Sequence, residues 1–179
     1  MFSIPQALAE DDIILVILPD DQYLDNLMYL VKNLQQNYDK ILYVTVNRPY
    51  QMLVRAMLKQ KVPTDKFIFI DTISGTNKEL IKKEDNCYFI SNPAAFTELN
   101  LLISDIYAEQ NPPAIIFDSL ASLLIYEDTQ MVVKFAHNLI SKLGVKGCKI
   151  ILPCPYDEKH ETFLKDLEMF VERVVDLRM

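Results

Sequence analysis

The segment from Ile13 to Leu27 reads IILVILPDDQYLDNL: an apolar run, a proline, two adjacent aspartates, then the spacing of an amphipathic helix. Carboxylates placed just after a buried strand can ligate a metal, cap a helix or exclude an anion. A second such position is Asp118-Ser119, at the end of the apolar run Ala114–Phe117. An aspartate there can cap the next helix or hydrogen-bond within its own loop. The other reactive residues are sparse. His137 falls inside a helical pattern and His160 in a charged tail, so neither supports a triad with Ser119. Cys87, Cys148 and Cys154 are odd in number and lack C-x-x-C spacing, which points to buried or idle thiols rather than a disulfide framework or zinc site. Arg48 and Arg55 are the basic residues placed to approach an anion, although arginines at such positions are usually solvated or paired with local acids.

The chain of 179 residues holds only three glycines, Gly75, Gly144 and Gly147. That scarcity removes most backbone phosphate cradles, which need glycine for close approach. Asp20 and Asp21 instead occupy the helix N-terminus where a phosphate would sit. Capping by a side-chain oxygen and a favourable dipole interaction of about 0.3–1 kcal/mol suffice to explain them. A phosphate ~5 Å from either carboxylate would meet a repulsion of about 3 kcal/mol at an effective dielectric of ~20. The expectation is that Asp20 or Asp21 caps a helix beginning near Gln22 and fills the anion position from within.

A net charge of −7 with no basic stripe argues against a sequence-independent grip on nucleic acid. No apolar run approaches the ~20 residues of a membrane span, and the N-terminus lacks the pattern of a leader, so a cytoplasmic protein without membrane association is expected. Half the residues are hydrophobic, enough for one core, and residues 1–179 are expected to form one domain.

Strand-like runs recur at Ile13–Leu18, Ile41–Val46, Phe67–Ile70, Tyr88–Ile90, Ala114–Phe117, Lys149–Leu152 and, more weakly, Arg173–Leu177. Several are continuous rather than alternating, as parallel strands covered on both faces require. Between them, helical stripes run through Leu24–Leu34, Met52–Met57, Leu99–Ile106 and Val132–Leu143. Ser91-Asn92-Pro93 offers a helix start, and Gly144 a left-handed residue ending the helix that begins near Thr129. The polar stretch Ser74–Asn86 is read as a surface excursion. Alternating strands and helices predict a three-layer α/β/α domain with a mainly parallel sheet and functional loops at the carboxyl ends of its strands.

The order of these pieces resembles the RecA-like ATPase core, and within it the KaiC-like branch common in archaea. DIILVILPDDQYLDNLMYLVKNL (Asp12–Leu34) is similar to that family's first strand, phosphate-loop position and helix, and KILYVTVNRP (Lys40–Pro49) to its second strand. PAIIFDSLASLL (Pro113–Leu124) is similar to its Walker B strand, and Val132–Leu152 to the next helix and strand. The resemblance implies that Asp118 is the remnant of a magnesium-organising aspartate, the one residue to which a metal or cofactor contact is carried over. It also implies what is missing. No G-x-x-x-x-G-K-[ST] occurs, so the phosphate-binding lysine and its hydroxyl neighbour are absent, and Val46-Asn47-Arg48 supplies no water-activating carboxylate.

The resulting expectation is a RecA/KaiC-like pseudo-ATPase without catalytic residues or cofactor, acting as a regulatory or scaffolding protein. Its partner would be a second copy or an intact relative of the same class, and Tyr50 and Tyr126, in loops after the second and Walker-B-like strands, are the candidate interface residues. Two other readings compete. A receiver-like phospho-acceptor switch would use Asp20-Asp21 and Asp118, but far more chain separates them than two βα units occupy, and Pro153-Cys154-Pro155 stands where its lysine belongs. An atypical nucleotide-binding domain would rely on Arg48 and Arg55.

Overall fold

The computed structural model describes residues 3–77 and 86–178. Its strands are β1 (Ile13–Leu18), β2 (Ile41–Thr45), β3 (Phe67–Asp71), β4 (Cys87–Phe89), β5 (Ala114–Asp118), β6 (Lys149–Pro155) and β7 (Arg173–Asp176). They form one sheet in the order β4-β3-β2-β5-β6-β1-β7, and every pairing is parallel. Residues 78–85 of the expected polar excursion lie outside the described residues.

Helices cover both faces. Along β1, Ile14, Val16 and Leu18 enter one core and Leu15 and Ile17 the other, because successive side chains of a strand point to opposite sides. This is why the run is apolar throughout rather than alternating. The first core is closed by α1 (Ile4–Glu10), α2 (Tyr23–Asn37) and α3 (Tyr50–Lys59); the second by α4 (Phe96–Gln110), α5 (Thr129–Gly144) and α6 (Glu161–Glu168). The three-layer architecture follows directly.

Local details depart from the sequence expectation in four places. Helix α1 begins at a Ser3 cap, whose hydroxyl accepts from the Gln6 amide at 3.4 Å. Part of the charged tail folds as α6, burying Phe163, Leu164 and Leu167 while Lys165 and Glu161 pair on the solvent side at 2.9 Å. Ser91-Asn92-Pro93 precedes α4 without starting it: the helix begins at Phe96, and Ser91 reaches forward to the Glu98 carboxylate. Gly144 ends α5 but is followed by Val145 in right-handed helical conformation, and the left-handed residue is Gly147, with φ of 69°.

The edge strand β7 is anchored by a planar ion pair. Arg173 donates from Nε and Nη2 to the two Asp11 oxygens at 2.7 and 3.0 Å, joining the last strand to the residue that ends α1. Since β1 and β2 are separated in the sheet by β5 and β6, the carboxyl ends of these four strands converge where the chain changes direction, the usual position of a functional crevice in an open parallel sheet.

Gly75 tests the tight turn after β3. A Cβ there would stand 1.7 Å from the Ile90 carbonyl oxygen. Gly75→Ala is expected to destabilise the fold by at least about 2 kcal/mol, read from the urea midpoint; an unchanged midpoint would show that the two loops are not in contact.

Candidate functional site at the carboxyl edge of the sheet

Asp118 closes β5, on the same side of the sheet as Ala114 and Ile116 and hence under α2 and α3. In register it stands beside Thr45 of β2, whose other neighbour is Asp71 of β3. All three are wholly buried. Burying a carboxylate is costly unless each oxygen is hydrogen-bonded, so the partners define the site.

Asp118 Oδ1 accepts from the Tyr23 hydroxyl and from Asn47 Nδ2 at 2.8 Å, and Oδ2 accepts from the Tyr43 hydroxyl at 2.7 Å. The three donors come from separate elements. Tyr23 is the first residue of α2, Tyr43 lies on β2 with its ring under the same helices, and Asn47 follows β2. The network continues outward: Ser122 donates to Asn47 Oδ1, and the Ser119 and Ser122 hydroxyls are 3.0 Å apart. Burial pushes the Asp118 carboxyl above the usual carboxylate range, outweighing the three donors and the nearby Arg48 charge that pull it down. Burial, reinforced by the Asp118 charge, holds the Tyr23 and Tyr43 hydroxyls well above the ordinary tyrosine range, so both remain protonated donors.

This arrangement does not fit magnesium. The hydrogens of three donors point at the oxygens a cation would need, and Asp118 has no solvent exposure. Among the described residues, no group of three or more His, Cys, Asp or Glu side chains is placed to hold a metal.

Asp71 is saturated in the same way. Its Oδ1 accepts from the amides of Ile73 and Ser74 at 2.8 and 2.9 Å, and its Oδ2 from the Tyr50 amide at 2.7 Å and the Ser74 hydroxyl at 2.6 Å. Because Tyr50 opens α3, the neighbouring strand supplies the cap that Pro49 cannot.

The opening aspartates behave differently from the expectation. Asp20, Asp21 and Gln22 form a 3₁₀ turn, α2 starts at Tyr23, and neither the turn nor the helix has a side-chain cap. The geometry explains this: the turn runs directly into the helix, its Gln22 amide bonding the Pro19 carbonyl and the Tyr23 amide the Asp20 carbonyl. Those amides are therefore occupied by backbone rather than by a carboxylate, while Asp20 and Asp21 are exposed. Tyr23, not an aspartate, is the residue this turn sends inward.

Tyr50 is likewise not an interface residue. It is buried, its ring meets Phe69 edge-on at 5.1 Å, and its hydroxyl donates to Asn86 Oδ1 at 3.1 Å. Tyr126 is 46% exposed. Arg48 is partly buried near Asp118, with Nη1 enclosed and lacking a hydrogen-bond partner among the described residues; Arg55 is exposed on α3. His137 packs on Phe170, and the three cysteines are buried, with Cys154 pushed up to about 12 by burial.

A cleft of about 470 Å³ opens beside this network, at the ends of β1, β5 and β6. Asp20, Asp157 and Glu158 line it together with Ile125, Tyr156 and His160. Sequence reasoning found Asp118 but missed Tyr23, Tyr43, Asn47 and Asp71. The available signal for the tyrosines was that a phenol inside an apolar pattern needs a polar partner for its hydroxyl.

Two solved structures have this fold. A KaiC-like protein from the hyperthermophilic archaeon Pyrococcus horikoshii superposes with a TM-score of 0.64 over 94% of this chain and 73% of its own, at 13% identity. The flagellar accessory protein FlaH from Methanocaldococcus jannaschii gives 0.56 over 93% of this chain and 71% of its own, at 16% identity. No protein-family model matches the chain, and no curated protein matches it in sequence. The similarity therefore lies in the fold, which is the KaiC-like, RecA-type one.

Two outcomes follow from the network. Tyr23→Phe removes one donor from a buried carboxylate and is expected to lower stability by about 1–3 kcal/mol at neutral pH, measured by urea unfolding; no loss would show that the hydroxyl does not hold Asp118. The raised folded value of Asp118 means that the native state holds its proton where the unfolded state has released it. Stability from this group is thus full below the ordinary carboxylate value and falls as pH rises towards the folded value. Comparing Asp118→Asn with the unaltered chain, the difference in unfolding free energy should move in favour of the asparagine variant as pH rises above the ordinary carboxylate value. A shift in the opposite direction would mean that the donors, not burial, dominate.

Proposed function

We propose that this chain is a non-catalytic protein of the KaiC-like, RecA-type ATPase fold that acts by associating with another protein. The observation that carries the reading is the saturation of Asp118: the carboxylate at the Walker B position is buried and holds Tyr23, Tyr43 and Asn47 rather than facing a ligand. The turn after β1 supports it, since Gln22 and Tyr23 amides that would face a phosphate are bonded to the backbone. The adjoining cleft adds an electrostatic argument. Asp20, Asp157 and Glu158 on its walls repel a nucleoside triphosphate.

The same observations weigh against the two competing readings. A phospho-acceptor needs a carboxylate oxygen open to a phosphodonor, and Asp118 is enclosed. A nucleotide held by Arg48 and Arg55 would draw on one partly buried and one exposed guanidinium, neither of which lines the cleft at the strand ends.

Purified protein incubated with ATP or GTP and magnesium is expected to release phosphate at the rate of the protein-free buffer, and Asp118→Asn is expected to leave that rate unchanged. Magnesium-dependent turnover that disappears in Asp118→Asn would overturn the non-catalytic reading.

A further inference from the structure

Three clefts meet around one short segment that follows β5 and runs into the first turn of α5. Ile125 borders the cleft at the strand ends; Glu127 and Met131 border a second, of about 570 Å³, against Phe96 and Leu101 of α4; Asp128 and Met131 border a third, of about 550 Å³, between α5 and Phe170. Met131 is thus a ridge between two grooves. The segment and its surroundings expose large apolar side chains: Ile125 is 80% accessible, Leu101 61% and Met131 45%, with Tyr126 beside them. Single exposed apolar residues need no explanation, but a group rimmed by polar side chains around grooves marks an interaction surface.

The rim is predominantly acidic. Asp20, Asp157 and Glu158 line the first cleft, Glu98 and Glu127 the second, and Asp128 and Asp166 the third. Against them, Lys134 is the only lysine or arginine among the described residues that line the three clefts. A second copy of the chain docking by the same face would bring like charges together across the contact, which costs rather than stabilises. A nucleic acid or phosphorylated ligand meets the same repulsion. The complementary occupant is a segment carrying positive charge and apolar knobs, and grooves on both sides of a ridge suit side chains projecting at i, i+3 and i+4 from a helix.

We propose that the Ile125–Met131 shoulder is the docking surface for a lysine- or arginine-rich amphipathic helix of another protein. This deepens the association reading above and rests on it. The apolar knobs of the helix enter the grooves flanking Met131 and pack on Ile125 and Leu101, while its basic residues face the acidic rim.

The test uses the full chain and a fluorescein-labelled synthetic helix with leucine at every third and fourth position and lysine elsewhere, alongside a counterpart with glutamate in place of lysine. Anisotropy is expected to show binding of the lysine peptide only, weakening as salt is added. Glu127→Lys with Glu158→Lys should weaken it by at least about tenfold, and so should Ile125→Ser with Met131→Ser. All four positions lie at the surface or lack side-chain hydrogen bonds, so melting temperatures should hold, and Asp128, which caps α5 through the Met131 amide, is left untouched. The proposal is overturned if the lysine peptide fails to bind, if the serine pair binds it as tightly as the unaltered chain, or if the chain elutes as a dimer that the serine pair dissociates. Nucleotide turnover by the same preparations decides the non-catalytic reading separately, so the two can fail independently.

Discussion

The buried Asp118 carboxylate is the constraint around which the functional edge of this molecule is arranged. A charge that deep in an α/β core is tolerable only when its oxygens are occupied, and the three donors that occupy them belong to the start of α2, to β2 and to the loop after β2. Satisfying one residue therefore fixes the turn after β1 relative to the two central strands. Tyr23 completes the set of donors from within the protein, so the carboxylate ties the start of α2 to the central strands.

Asp71 repeats the solution two strands further out, with Thr45 of β2 between the two. Its four donors include the first amide of α3, so this carboxylate links the end of β3 to the start of the helix that follows β2. Strand ends at the carboxyl edge of a parallel sheet usually present side chains to a crevice. In this chain both aspartates of the row point into the protein, and the chemistry available to solvent is displaced to the acidic clefts around Ile125 and Met131. In the docking proposed above, electrostatics sorts the candidate ligands: phosphates and a second acidic copy are repelled, and cationic surfaces are attracted.

Much of the fold was legible in the sequence, because hydrophobic periodicity reports burial and burial is what the layers consist of. Continuous runs such as IILVIL and AIIF could only be strands covered on both sides, and the stripe through Val132, Ala136 and Leu139 could only be a helix with one face inward. The absence of a glycine-rich loop was equally plain, since no arrangement of neighbours supplies missing backbone freedom. Short elements were harder. In α6 the apolar residues Phe163, Leu164 and Leu167 lie among charges that dominate the local composition, and Ser91-Asn92-Pro93 has the residues of a helix start without the position of one.

That the chain forms a parallel, two-sided sheet and lacks a conventional phosphate cradle follows from residue type and local spacing. What Asp20, Asp21, Tyr23, Tyr50 and Asp118 do depends on contacts between elements distant in the chain. Local rules favoured an aspartate cap on α2, yet the 3₁₀ turn satisfies its amides with backbone and leaves both carboxylates in solvent. Tyr50, in a loop-like context, became core because Asp71 caps α3 from the neighbouring strand and Phe69 receives its ring. Tyr23, Tyr43 and Asn47 are remote from Asp118 in sequence, and hydrogen bonds between them exist only once the sheet has brought β1, β2 and β5 to a common edge. Spacing along a chain carries no information about such pairings; the register of parallel strands does.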